Sequence, residues 1–287
     1  MKLCSLIYRF VPVVLLMVAG PGLGLGMGLA GESVIEPGGE KQGISGREIV
    51  TKSENINPGS DQRSRLKFHF KEKDGSERKM VMQRFWKNYR GEKGVDSKVM
   101  IFQEYPPETK GSGFLGWFYK SGPKKTESWL YIPILRKVIQ LPETSNDEAF
   151  QGSDLRPGDM MSRPVDADTH TFMGEETVEG KSFYVVESVP RDQDPMYKYG
   201  KVVKWIAKDS FLKSRLDYYD ESGKLFKKQW VTWKQNKDAW VWEKVKTINA
   251  QTGVEINLDV ADVQINTGLE DAQFTERTLK SGPSAIH

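Results

Sequence analysis

Cysteine is nearly absent: one copy, Cys4, occurs in 287 residues, inside an apolar N-terminal leader. Beyond the leader the chain has no disulfide, no thiol nucleophile and no cysteine-based metal site. Histidine is almost as scarce, with His69, His170 and His287 far apart. His69 lies on the polar side of an alternating strand and reads as solvent-facing rather than as a general base. No Gly-x-Ser-x-Gly elbow and no glycine-rich phosphate or dinucleotide motif occurs. The acids Asp154, Asp159, Asp166 and Asp168 match no EF-hand spacing, and Pro157 and Pro164 break the run. Turn formation explains them, and neither a metal nor another cofactor is expected. An enzyme is not expected either. A surplus of one charge sign is also missing. Lys and Arg number 42 against 39 Asp and Glu, and removing Lys2 and Arg9 with the leader leaves 40 against 39. That balance gives no drive toward nucleic acid or anionic headgroups. The clusters Lys71–Lys79 and Lys224–Lys228 read as solvated.

Long hydrophobic runs are missing as well. Phe10 to Ala19 is too short for a comfortable membrane span. Basic Lys2 and Arg9 and the small residues Gly28 and Ala30 make residues 1–30 a cleaved signal peptide, so the mature chain is exported. The alternative, a retained anchor, would leave it membrane-associated. Residues 31–60 are rich in Gly, Glu, Ser and Pro and read as a flexible lead with one short helix over Arg47 to Glu54.

From Ser64 onward the pattern is β. Leu66, Phe68 and Phe70 alternate with Arg65, Lys67, His69 and Lys71, and Lys73-Asp74-Gly75 makes a hairpin turn. Further strand segments follow every ten residues or so, about a dozen in all, with a hairpin across Glu179-Gly180. Pro142 to Pro164 reads as a long loop, and a loop of that length in a compact domain is usually functional or mobile. The tail, Glu270 to Leu279, is weakly helical and is expected to dock on the sheet. Residues 61–287 are read as one domain.

Two strand segments break the alternation. Phe114-Leu115-Gly116-Trp117-Phe118-Tyr119 and Trp129-Leu130-Tyr131-Ile132 are apolar on both faces. A sheet with one wet face alternates, so both faces here should be covered. That suggests a sheet curled around an apolar interior with something packed outside. Eight tryptophans are spread over many strands: Trp86, Trp117, Trp129, Trp205, Trp230, Trp233, Trp240 and Trp242. Singly each reads as core. Collectively they suit an interior that accepts an acyl chain. Phe114, Trp117, Tyr119, Trp129 and Tyr131 are the expected lining of such a cavity. Phe150, Asp154, Leu155, Met160 and Met161 are the expected rim loop, with methionine as an adaptable apolar edge. Parity alone leaves open which strand face points inward.

The order of these pieces resembles a bacterial family of outer-membrane lipoprotein-sorting-like proteins, distant relatives of the periplasmic lipoprotein carrier LolA. The resemblance rests on Lys110-Gly111-Ser112-Gly113-Phe114-Leu115, Trp129-Leu130-Tyr131-Ile132-Pro133 and Phe150-Gln151-Gly152-Ser153-Asp154-Leu155. Further on it rests on Lys204-Trp205-Ile206 and Leu216-Asp217-Tyr218-Tyr219-Asp220, and it spans roughly Ile49 to Leu279. Leu155 stands where the relatives often carry an aromatic. The resemblance implies a mainly β fold, an incomplete antiparallel β-barrel (LolA/LolB-like) closed by short helices around a hydrophobic cavity. It implies a periplasmic carrier that shields a lipid or lipoprotein acyl chain during transfer between membranes. The alternative it implies is a periplasmic accessory subunit of an RND-type inner-membrane exporter, using the same surface for protein contact.

Overall fold

The computed structural model describes residues 43–119, 126–142, 163–192 and 197–287. Helix α1 (Gly46–Glu54) starts at a capping box: the Ser45 hydroxyl accepts from the Glu48 amide, and the Glu48 carboxylate accepts from the Ser45 amide. The helix expected over Arg47 to Glu54 lies within it.

Alternation then sets the strands. Along β1 (Asp61–Lys71), Leu66, Phe68 and Phe70 are buried on one face and Arg65, Lys67 and His69 occupy the other. A meander follows through β2 (Glu77–Asn88), β3 (Val95–Tyr105), β4 (Gly113–Tyr119), β5 (Glu127–Ile132) and β6 (Lys137–Leu141). A second meander runs through β7 (Asp168–Val178), β8 (Lys181–Pro190), β9 (Lys201–Ala207) and β10 (Lys213–Tyr219). It ends with β11 (Leu225–Asn236), β12 (Ala239–Asn249) and β13 (Glu255–Ile265).

Among the described residues these thirteen strands form one antiparallel sheet, ordered β6-β5-β4-β3-β2-β1-β13-β12-β11-β10-β9-β8-β7. The first strand pairs with the last, so the two meanders are joined at the centre of the sheet. Among the described residues β6 and β7, consecutive in the chain, are the two edges of the sheet. The barrel is therefore incomplete, as expected. Register at the join is set by matching apolar faces: Leu66 lies opposite both Val260 and Met82, and Phe68 opposite both Leu258 and Met80.

The two α-helices among the described residues pack on opposite faces at opposite ends of the sheet. On the inner face of β8 and β9, Ile49 and Val50 of α1 bury against Val186 and Ile206. Gly46 makes this approach possible, because a Cβ there would stand 2.8 Å from the Phe172 amide nitrogen. On the outer face, helix α2 (Glu276–Ser281) and its flanks place Leu269, Phe274, Leu279 and Ile286 over Phe85, Met100, Phe102, Leu115 and Trp129. Here Gly113 admits the helix: a Cβ would meet Leu279 Cδ1 at 2.7 Å. The tail docks as its weak helical pattern suggested.

This explains the non-alternating strands. In β4 the odd residues, Leu115 among them, pack under the C-terminal segment, and the even residues Phe114 and Phe118 face the interior. One expectation fails inside the basic cluster 224–228. Lys227 is fully buried, with its ammonium 4.6 Å from the Tyr218 ring centroid and 5.0 Å from that of Tyr199. Strand parity puts it on the inner face with Gln229 and Val231, where aromatic faces replace water around the cation.

Candidate functional site

The inner face bounds a cavity of about 870 Å³. Small-molecule sites commonly span about 300–1,000 Å³, so this is at the large end. Its walls come from strands of both meanders. Leu66, Phe68, Val99, Ile101, Phe114 and Phe118 supply one side, and Trp233, Trp242, Val245, Ile256, Leu258 and Val260 the other. The segment that follows α1, Asn55 to Pro58, and the stretch Arg163 to Val165 before β7 also reach it.

Of the five residues expected to line it, Phe114 does. Trp117, Trp129 and Tyr131 lie instead on the outer face with the C-terminal segment. Trp117 and Trp129 meet edge to face with centroids 5.0 Å apart, and the Trp117 indole donates to the Phe274 carbonyl at 3.1 Å. Tyr119, of the same parity as Trp117, donates from its hydroxyl to Glu127 at 3.1 Å. The lining thus has the opposite parity on β4 from most of the residues chosen, and the correction is physical. Both faces of that strand are apolar because one is closed by the C-terminal segment and the other bounds the cavity. The expected rim residues Phe150, Asp154, Leu155, Met160 and Met161 lie outside the described residues.

Four tryptophans do line the cavity: Trp86, Trp233, Trp240 and Trp242. The signal that locates Trp86 is β1, whose strict alternation marks Leu66 and Phe68 as inward; a bulge between Thr232 and Trp233 hides Trp240 and Trp242 from the same parity argument. Carrying that parity across the hairpin into β2 brings Met80, Met82, Arg84 and Trp86 to the same face. Arg84 is the unexpected member of the row. Its guanidinium donates to Gln62 Oε1 at 3.2 Å and lies over the Trp86 ring, and burial lowers its pKa from the ordinary value. It remains a cation at neutral pH.

A second polar group sits across the cavity. The α1 residue Glu54 pairs with Lys213 at 2.5 Å, and Arg163 pairs with buried Asp168 at 2.7 Å. Burial works against the Glu54 charge, but Lys213 and Lys204 outweigh it, and its carboxyl stays below the ordinary range. His170, next to this group, is a neutral structural residue. Burial, then Lys204, lowers its pKa; its Nε2 donates to the Val165 carbonyl at 2.9 Å and its Nδ1 accepts from the Ser188 hydroxyl at 2.8 Å. His69 stands on the other face of β1 beside Glu77. Of the acids considered as a metal site, Asp166 pairs with Arg47 and Asp168 with Arg163, while Asp154 and Asp159 lie outside the described residues. Among the described residues no group of three or more His, Cys, Asp or Glu is placed to hold a metal ion, and no helix is long and apolar enough to cross a membrane.

An open antiparallel sheet curled over an apolar cavity, with helices on its inner and outer faces, is a LolA-like fold. Solved structures share it. A DUF1329 family protein from Desulfovibrio piger is 23% identical, with a TM-score of 0.75, over 82% of this chain and 97% of its own. A proposed outer membrane lipoprotein-sorting protein domain from Vibrio parahaemolyticus is 24% identical, with a TM-score of 0.74, over 82% and 98%. A LolA superfamily protein from Nitrosomonas europaea is 19% identical, with a TM-score of 0.63, over 82% of this chain and all of its own. A family model described only as that of an uncharacterized protein matches residues 94–281, and the chain belongs to that family. No curated protein matches the sequence.

Proposed function

We propose that this chain is an exported, periplasmic carrier that holds the acyl chain of a lipid or lipoprotein in the cavity during transfer between membranes. The observation that carries the reading is the cavity: about 870 Å³, walled by Leu, Ile, Val, Phe and Trp from both meanders, inside a LolA-like sheet. Transfer of a methylene from water to such a wall is worth about 0.8 kcal/mol, so ten methylenes supply roughly 8 kcal/mol before ordering costs. Area alone therefore suffices for binding, and the reading invokes no bond-making group. Release follows from opening of the sheet or from a competitor for the chain. The leader at 1–30 supports export. A structural neighbour named for outer membrane lipoprotein sorting is consistent with the same compartment.

A second reading, an accessory subunit of an RND-type exporter, is favoured by one observation. Ile134 is 91% exposed and Leu135 51%, in the turn after β5, and Tyr105 at the end of β3 is 47% exposed. Exposed apolar groups at one end of a sheet suit protein contact.

Native mass spectrometry of protein purified gently from its own host separates the two. The carrier reading expects a bound lipid, and the tryptophan emission should shift when an acyl probe is added to stripped protein. A bare mass, no response to the probe, and co-purification of an inner-membrane transporter would overturn the carrier in favour of the accessory role.

A further inference from the structure

A recess of about 110 Å³ adjoins the main cavity and shares Glu54, Arg163, Lys213, Trp233 and Trp242 with it. At roughly 10–15 Å³ per water it has room for several waters, and so for a carboxylate or phosphate group. Among the described residues its charges do not balance. Three cations, Arg163, Lys204 and Lys213, line it. The two carboxylates beside them are already engaged, Glu54 with Lys213 and Asp168 with Arg163. Lys204 is 6% exposed, and no hydrogen bond or ion pair holds its ammonium among the described residues. His170 is neutral and its two ring nitrogens are occupied by Ser188 and Val165. The remaining walls include Val202, Leu216 and Val231. Glu54 and Asp168 attract the Lys204 ammonium only from a distance, and a buried ammonium with no direct contact is costly; an anion that accepts its hydrogen bond relieves that cost.

We propose that the recess receives the anionic head of an amphiphile, a carboxylate or phosphate, with Lys204 donating to the oxyanion while the hydrocarbon tail lies in the main cavity. The proposal rests on the carrier reading and names its substrate class. Lys213 and Arg163, held by their own carboxylates, keep the recess cationic as the head enters. Strand β9 holds Lys204 rigidly: Val186 on one side and Leu216 on the other are its cross-strand neighbours.

The test is a comparison of dodecanoate and dodecanol, equal in chain length, titrated against stripped full-length protein. Wild type should bind dodecanoate about tenfold tighter, the scale of one charge-assisted hydrogen bond. Lys204→Met should bind both alike at the alcohol's affinity, and Lys204→Arg should keep the preference; thermal melts confirm that both variants fold. Equal binding by wild type, or a preference that survives Lys204→Met, overturns the headgroup site and leaves the carrier standing. Binding of neither probe overturns both. A third arm uses inorganic phosphate: if it binds as tightly as dodecanoate, the recess serves a free anion and the amphiphile proposal is wrong.

Discussion

The two faces of β3 and β4 are equally apolar and meet different fates. On the outer face, Met100, Phe102 and Leu115 are closed over by Phe274, Leu279 and Ile286 from the chain's own C-terminal segment. On the inner face, Val99, Ile101, Phe114 and Phe118 bound a hollow. Apolarity fixes only that a strand face must be covered; what covers it depends on what the chain can supply. Outside, it supplies a C-terminal segment pinned by polar contacts: Lys87 donates to the Leu269 carbonyl at 2.6 Å and Lys98 pairs with Asp271 at 2.5 Å. Inside, the walls of both meanders stand apart, and the proposed occupant is a guest.

Breaking the solid face should have the largest effect. Phe274→Ala removes a fully buried ring and is expected to cost about 3–5 kcal/mol in chemical denaturation. A loss well below that would mean the outer face is not packed as a core. Enlarging a side chain then sharpens the contrast. Leu115→Trp on the outer face should cost about 1–3 kcal/mol, the usual penalty of overpacking. Val260→Trp lines the hollow, and it should change stability by less than about 1 kcal/mol while cutting uptake of a fluorescent acyl probe. Equal destabilisation by both substitutions would erase the distinction between core and cavity.

Much of this architecture was legible in the residues. The alternation in Leu66, Phe68 and Phe70, the turn at Asp74-Gly75 and the hairpin at Glu179-Gly180 mark strands because side-chain period and turn chemistry are local. The continuous run Phe114 to Phe118 foretold covers on both sides for the same reason. Three things were not legible. Pairing of β1 with β13 joins residues some two hundred positions apart, and no local signal encodes it. The side of Trp117 and Trp129 depended on where the C-terminal segment docks, which is again long-range. Lys204 and Lys227 look like ordinary basic residues of alternating strands; only the curl of the sheet shows that their parity turns them inward, against rings or into a recess.

Charge gives a smaller and finer test. At the join of the two meanders, Asp61 accepts from the Thr267 hydroxyl and amide and from the Gly268 amide. Burial works against its charge, but these donors outweigh burial and hold its pKa below the ordinary value. The stabilisation is present above the ordinary carboxylate pKa and is lost as pH falls through the lower folded value. Asp61→Asn should cost about 1–3 kcal/mol at neutral pH and flatten the acid limb of the stability curve. A cost near zero would mean the join is held by strand pairing alone.

Among the described residues, two of the three buried lysines lie on opposite faces and differ in their partners. Lys98 on the outer face has Asp271 as a partner, whereas Lys204 on the inner face has none among the described residues. Burial, and then Lys213, push the Lys204 ammonium down to about 8. An unfolded lysine titrates near 10.4, so between about pH 8 and that value the unfolded chain binds more protons than the folded one. Stability should therefore rise with pH across that window, by on the order of 1 kcal/mol from about pH 8 to about pH 9. Below about pH 8 both states are protonated and the term is flat. Lys204→Met should remove the rise. A wild-type curve that falls through this window in step with Lys204→Met would mean that the ammonium is already solvated or paired, and the inner face would then bury no more uncompensated charge than the outer one.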